Sequence, residues 1–82
     1  MIYVFLADGF EEIEALATVD VLRRADLSVC TVGIGKSDIT GAHNVIVKTD
    51  ITDTNLSLSD ATAIVLPGGM PGTRNLEASP SV

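Results

Sequence analysis

Two short stretches of this 82-residue sequence combine residue types that can do chemistry. The first is Glu11-Glu12-Ile13-Glu14. Carboxylates at the start of a helix complement its dipole in water. Alternatively, one of them turns into a site where burial and like-charged neighbours raise its pKa, so that it holds a proton or orients a nucleophile. Glu14 lies three residues from Glu11, which puts those two on one helix face and leaves Glu12 pointing elsewhere. The second stretch is Val65-Leu66-Pro67-Gly68-Gly69, an apolar run stopped by turn formers. Paired glycines at the carboxyl end of a strand leave backbone N–H groups uncovered, as an oxyanion hole requires. The same glycines also serve a plain tight turn. Both readings of both stretches stand at this point.

The remaining candidates are single residues. Asp20 interrupts the apolar side of the expected helix, and Arg24 four residues on is placed to pair with it. His43 is the only histidine and has no cysteine or carboxylate near it in sequence at metal-ligand spacing, so no metal site is expected. Cys30, the one cysteine, lies in Val29-Cys30-Thr31-Val32 and reads as a small buried hydrophobe rather than a nucleophile. Having no partner for a disulfide, it points to a reducing, cytoplasmic setting. No phosphate loop or dinucleotide fingerprint is present.

These residues need a scaffold, and the hydrophobic pattern supplies one. A continuous apolar run over 2–7, closed by Asp8-Gly9, predicts a strand buried on both faces. Residues 11–25 predict a helix, acidic in its first turn and basic in its last, with Ile13, Leu16, Ala17 and Val21 facing the sheet. Residues 28–34 predict a second strand, completing a βαβ unit. A glycine-containing loop over 35–42 precedes a third strand over 44–49, at an exposed edge marked by Lys48 and Asp50. Residues 53–60 are polar and predict a loop or short helical turn anchored by Leu56 and Leu58. Another buried strand follows over 61–66, then a short helical turn through Asn75 and Leu76. Ser79-Pro80 is a helix start signal two residues from the end at Val82.

Composition excludes several classes. The sequence is 46% hydrophobic, which rules out disorder, and its net charge of -6 with no basic run argues against a nucleic-acid or anionic-membrane partner. No apolar stretch approaches the roughly 20 residues needed to span a bilayer. At this length the chain forms one domain at most, with a small core.

Taken together, Phe5 to Ala15, Val19 to Ala25 and Leu66-Pro67-Gly68-Gly69-Met70-Pro71-Gly72 resemble the ThiJ/PfpI family. The resemblance is to its deglycase-like branch, whose bacterial members carry a thiazole-monophosphate-biosynthesis label. It implies an α/β fold: a flavodoxin-like three-layer sandwich with a mostly parallel sheet, of the class I glutamine-amidotransferase-like kind, usually dimeric. It implies that residues 1–82 are the N-terminal part of a single such domain, and that the reactive cysteine on its nucleophile elbow lies beyond them. By the same resemblance Glu14 is the glutamate that bonds the cysteine, and the Gly69 N–H serves the oxyanion. Gly68, Glu11 and Asp20 belong to the substrate pocket, and Arg24 and His43 to its rim or to a dimer contact. The activity implied is attack of cysteine on small carbonyl compounds such as methylglyoxal or their adducts, with no metal or organic cofactor. An intracellular peptidase is the alternative within the family. The chain alone is expected to be inactive, with a second copy or a complementing C-terminal polypeptide as partner.

A non-catalytic flavodoxin-like, chaperone or signalling module is the competing class. A receiver domain needs an aspartate where this central strand ends in Leu66-Pro67, and a flavodoxin needs a hydroxyl-rich loop where this chain has Asp8-Gly9-Phe10-Glu11. Both discriminators disfavour it.

Overall fold

The computed structural model describes residues 1–55 and 58–67. The elements run β1 (Ile2–Leu6), α1 (Glu12–Arg24), β2 (Val29–Gly33), β3 (Asp38–Thr40), β4 (Ile46–Lys48), β5 (Ile51–Thr52) and β6 (Ala63–Val65). Short 3-10 turns at Asp53–Asn55 and Leu58–Asp60 fill the connection before β6. Strand β1 pairs in parallel with β2 on one side and β6 on the other, and β2 pairs in parallel with β5, giving the order β5-β2-β1-β6.

The apolar run of β1 lies at the centre of this sheet, and Tyr3 to Ala7 are all buried. Alternate side chains take opposite faces. Val4 and Leu6 join Phe10, Ala15, Val19 and Ile39 in a cluster under α1, while Tyr3, Phe5 and Ala7 meet Val32 in a second cluster. The Tyr3 hydroxyl donates to Asp60 Oδ1 at 2.6 Å, tying β1 to the turn before β6. That hydrogen bond to a carboxylate, reinforced by burial, pushes the Tyr3 pKa up to about 12.

Helix α1 begins and ends by different devices. Glu11 is its N-cap: extended (φ -82°, ψ 113°), it accepts the Ile13 and Glu14 N–H groups on its carboxylate at 3.2 and 2.6 Å. At the other end Asp26 takes a positive φ of 60°. Its N–H donates to the Arg23 carbonyl, and that of Leu27 donates to Leu22. This pair of bonds is a Schellman closure, here with aspartate in the left-handed position usually held by glycine.

Three expectations need correction. The buried face of α1 is Glu12, Ala15 and Val19, whereas Ile13 is 78% and Val21 63% exposed, and Leu16 and Ala17 are exposed too. The helix is rotated because the Glu12 carboxylate is held inward by hydrogen bonds from the β3–β4 turn. The loop predicted over 35–42 contains β3, which pairs with β4 as a separate antiparallel hairpin, so the strand over 44–49 does not join the main sheet. Strand β6 was expected to be buried, yet Ile64 is 48% and Leu66 50% exposed, because β6 is the outer strand among the described residues. The expectations at Leu56, at the Pro67-following glycines Gly68 and Gly69, at Asn75 and Leu76, and at Ser79-Pro80 concern positions outside the described residues or their side chains. No helix among the described residues is long and apolar enough to cross a membrane.

Candidate functional site

The carboxyl end of β1 delivers Asp8 and Gly9, and the chain passes through buried Phe10 into the acidic first turn of α1. The β3–β4 hairpin grips this passage from outside. Gly9 N–H donates to the Thr40 carbonyl and Ala42 N–H to that of Phe10, both at 2.8 Å, while Thr40 N–H donates to Asp8 Oδ1 at 3.0 Å. Lys36 Nζ adds an ion pair to Asp8 Oδ2 at 2.7 Å. The Lys36 contact, helped by the Thr40 N–H, holds the Asp8 carboxyl below its ordinary range.

The three glutamates have three different environments. Glu11 is half-buried and caps the helix. Glu12 is 6% exposed. Its Oε2 accepts the backbone N–H groups of His43 at 2.7 Å and Val45 at 3.3 Å, and its Oε1 lies 2.9 Å from His43 Nδ1. Burial pushes the Glu12 pKa up, but the His43 ring and the surrounding N–H groups outweigh it and hold the carboxyl at about 2. The His43 pKa is raised in turn, first by that hydrogen bond and then by the charge of Glu12. Glu14 is exposed, with its N–H held by Glu11 and its carbonyl accepting the Thr18 hydroxyl at 2.7 Å.

The hairpin turn is shaped around the Glu12 carboxylate. Gly41 is buried, and a Cβ there would collide with that carboxyl. Asn44 completes the turn in the left-handed region (φ 67°), and Gly41 N–H donates to Val45 at 2.8 Å. Sequence reasoning sent Glu12 elsewhere and missed this role. The available signal was Gly41 two residues before the only histidine, in a five-residue turn between two β-branched runs.

Glu11, Glu12 and His43 each bring one ligand-capable atom within 4.8 Å of the others, the only such group of three or more His, Cys, Asp or Glu among the described residues. The Glu11 carboxylate already accepts the Ile13 and Glu14 N–H groups at the positive end of α1, and Glu12 accepts those of His43 and Val45 from the hairpin turn, so the arrangement acts as a hydrogen-bonded clamp.

The other expected site residues are placed apart from this clamp. Asp20 and Arg24 pair with each other at 3.0 Å on the exposed side of α1. Arg23 instead reaches Asp50 at 2.8 Å, and Asp50 accepts the Thr31 N–H while its own N–H donates to the Thr31 hydroxyl. Cys30 is half-buried against the second apolar cluster, and burial pushes its thiol pKa up, the opposite of what a nucleophile needs. Gly68 and Gly69 lie outside the described residues.

The family model described as DJ-1/PfpI matches residues 1–82, the whole of the sequence. The chain belongs to the DJ-1/PfpI family. It is 38% identical over 86 residues to a Parkinson disease protein 7 homolog from Danio rerio, covering 96% of this chain and 43% of that protein. Protein DJ-1 homolog B from Arabidopsis thaliana is 35% identical over 79 residues, covering 95% of this chain and 18% of the relative. Among solved structures, a mutant of a DJ-1 superfamily protein from Salmonella typhimurium superposes with a TM-score of 0.93 at 37% identity, covering 98% of this chain and 44% of that one. Drosophila melanogaster DJ-1beta gives 0.93 at 30% identity, covering 99% and 44%. The fold is therefore the flavodoxin-like α/β fold of DJ-1/PfpI proteins with its mostly parallel sheet, and the chain spans less than half the length of these relatives.

Proposed function

We propose that residues 1–82 are the N-terminal part of a single DJ-1/PfpI domain that acts as a cysteine-dependent enzyme on small reactive aldehydes or their adducts, of the glyoxalase or deglycase type. Glu14 is the carboxyl that holds the nucleophile's proton, and Gly69 offers its N–H to the oxyanion. Gly68, Glu11 and Asp20 line the pocket, with Arg24 and His43 at its rim or at the contact with a second copy. The nucleophile comes from sequence outside these residues, since Cys30 has the wrong environment for it. The protein is cytoplasmic, and its partner is a second copy or a complementing C-terminal polypeptide.

The observation that carries this reading is the division among the glutamates. Glu11 caps the helix and Glu12 is buried against the hairpin turn, whereas the Glu14 side chain is exposed in the helix turn that follows the carboxyl end of the central strand. In open α/β sheets, ligands bind at that end.

The test begins with an intact-mass spectrum of the protein purified from its own host. Methylglyoxal consumption is then measured with and without thiol alkylation, beside the 82-residue chain alone. The reading expects consumption by the host-derived protein that alkylation abolishes, and none by the chain alone. Consumption that survives alkylation contradicts it.

A further inference from the structure

We propose that Glu12 is a positioning residue: by clamping the turn at 41–45 it sets the first turn of α1, and so places Glu14. This inference rests on the reading of Glu14 as the reactive carboxyl. A helix start is the weakest part of a helix, because its first N–H groups have no partner within it. Glutamate is not among the favoured N-caps, so Glu11 alone is a modest anchor. Glu12 supplies the second anchor, and all its side-chain contacts reach one turn 31 to 33 residues away in sequence.

Three further observations support the coupling. Gly41 leaves no room for a side chain beside the Glu12 carboxyl, so turn and carboxylate fit only in this seating. The same hairpin bonds Asp8, Gly9 and Phe10, the segment leading into the helix. The inward setting of Glu12 also leaves Ile13 and Glu14 exposed, although Ile13 would favour the opposite rotation. The hairpin therefore acts as a splint for the acidic turn. Glu11 caps, Glu12 anchors, and Glu14 is held in place.

The experiment is side-chain rotamer NMR with amide hydrogen exchange on the host-derived protein, comparing wild type, Glu12→Gln and Gly41→Ala. Glutamine keeps one acceptor oxygen and so preserves the fold better than alanine would. Gly41→Ala breaks the same seating from the hairpin side. The proposal expects His43, Val45 and Glu14 amides to exchange about tenfold faster in either variant, the change one charged hydrogen bond carries. It also expects the Glu14 side-chain rotamer populations, read from three-bond couplings, to change, while Val4 and Val32 amides keep their protection. Glu14 rotamer populations and amide exchange unchanged in both variants, with His43 and Val45 deprotected, overturn it and leave Glu12 as a hairpin anchor only. Loss of Val4 and Val32 protection in both overturns it as well, since the effect is then global. Failure of the methylglyoxal assay bears on the proposed activity and leaves these readouts intact.

Discussion

The two ends of α1 are secured in contrasting ways. The C-terminal end closes on itself: Asp26 and Leu27 return to Arg23 and Leu22, and Arg24 pairs with Asp20 one turn back. Among the described residues Arg23 reaches further, to the Val29 carbonyl at 3.4 Å and to Asp50 at 2.8 Å. The N-terminal end has a local cap in Glu11 but adds an anchor on groups more than thirty residues away, the amides and ring of the β3–β4 turn that hold Glu12. A local closure survives wherever the helix forms. A long-range clamp forms only in the finished fold, so it ties the acidic end of the helix to the tertiary structure.

The largest expected effect breaks the N-terminal end outright. Phe10 is fully buried between β1 and α1, beneath the acidic turn. Phe10→Ala is expected to cost about 3–5 kcal/mol, measured by denaturant unfolding, and in a chain this small that abolishes cooperative folding. A loss below about 1 kcal/mol would mean that the segment repacks. Next comes the distant ion pair at the other end. Asp50→Ala removes the partner of Arg23 and leaves the buried Thr31 N–H without its acceptor, at a cost of about 1–2 kcal/mol.

The clamp itself answers to pH, and the two partners act in opposite directions. Glu12 is depressed from 4.5 to about 2, so its contribution is complete above 4.5 and is lost as pH falls toward 2. His43 is raised from 6.5, so its contribution is complete below 6.5 and is lost as pH rises through its higher folded value. Thermal unfolding against pH should therefore show the clamp strongest between about 4.5 and 6.5, and Glu12→Gln should flatten the acid limb. An acid limb unchanged by that substitution would place the sensitivity elsewhere. The smallest effect sharpens the contrast from the C-terminal side. Asp26→Gly relieves the left-handed backbone and should stabilise by about 0.5–1 kcal/mol without touching the acidic turn.

This contrast also explains what the sequence made legible. Strand β1, helix α1 and strand β2 follow from local signals: an unbroken apolar run, acidic and basic helix ends, and a β-branched run closed by glycine. The β3–β4 hairpin does not, because β3 is three residues with one buried apolar side chain, Ile39, inside a polar loop. The rotation of α1 was hidden for the same reason. Ile13 and Val21 signal an inward face, but the amides of His43 and Val45 offer the Glu12 carboxylate more than water does, and no local pattern announces them. The glutamates were legible as a group, and their separate roles were not.

The most direct test of the account is methylglyoxal consumption by the host-derived protein carrying Glu14→Gln, with Asp26→Gly as the control at the opposite end of the helix. The account predicts a fall of roughly 10²-fold or more for Glu14→Gln at an unchanged unfolding midpoint, and wild-type turnover for Asp26→Gly. Wild-type turnover in Glu14→Gln would contradict it and remove Glu14 from the chemistry.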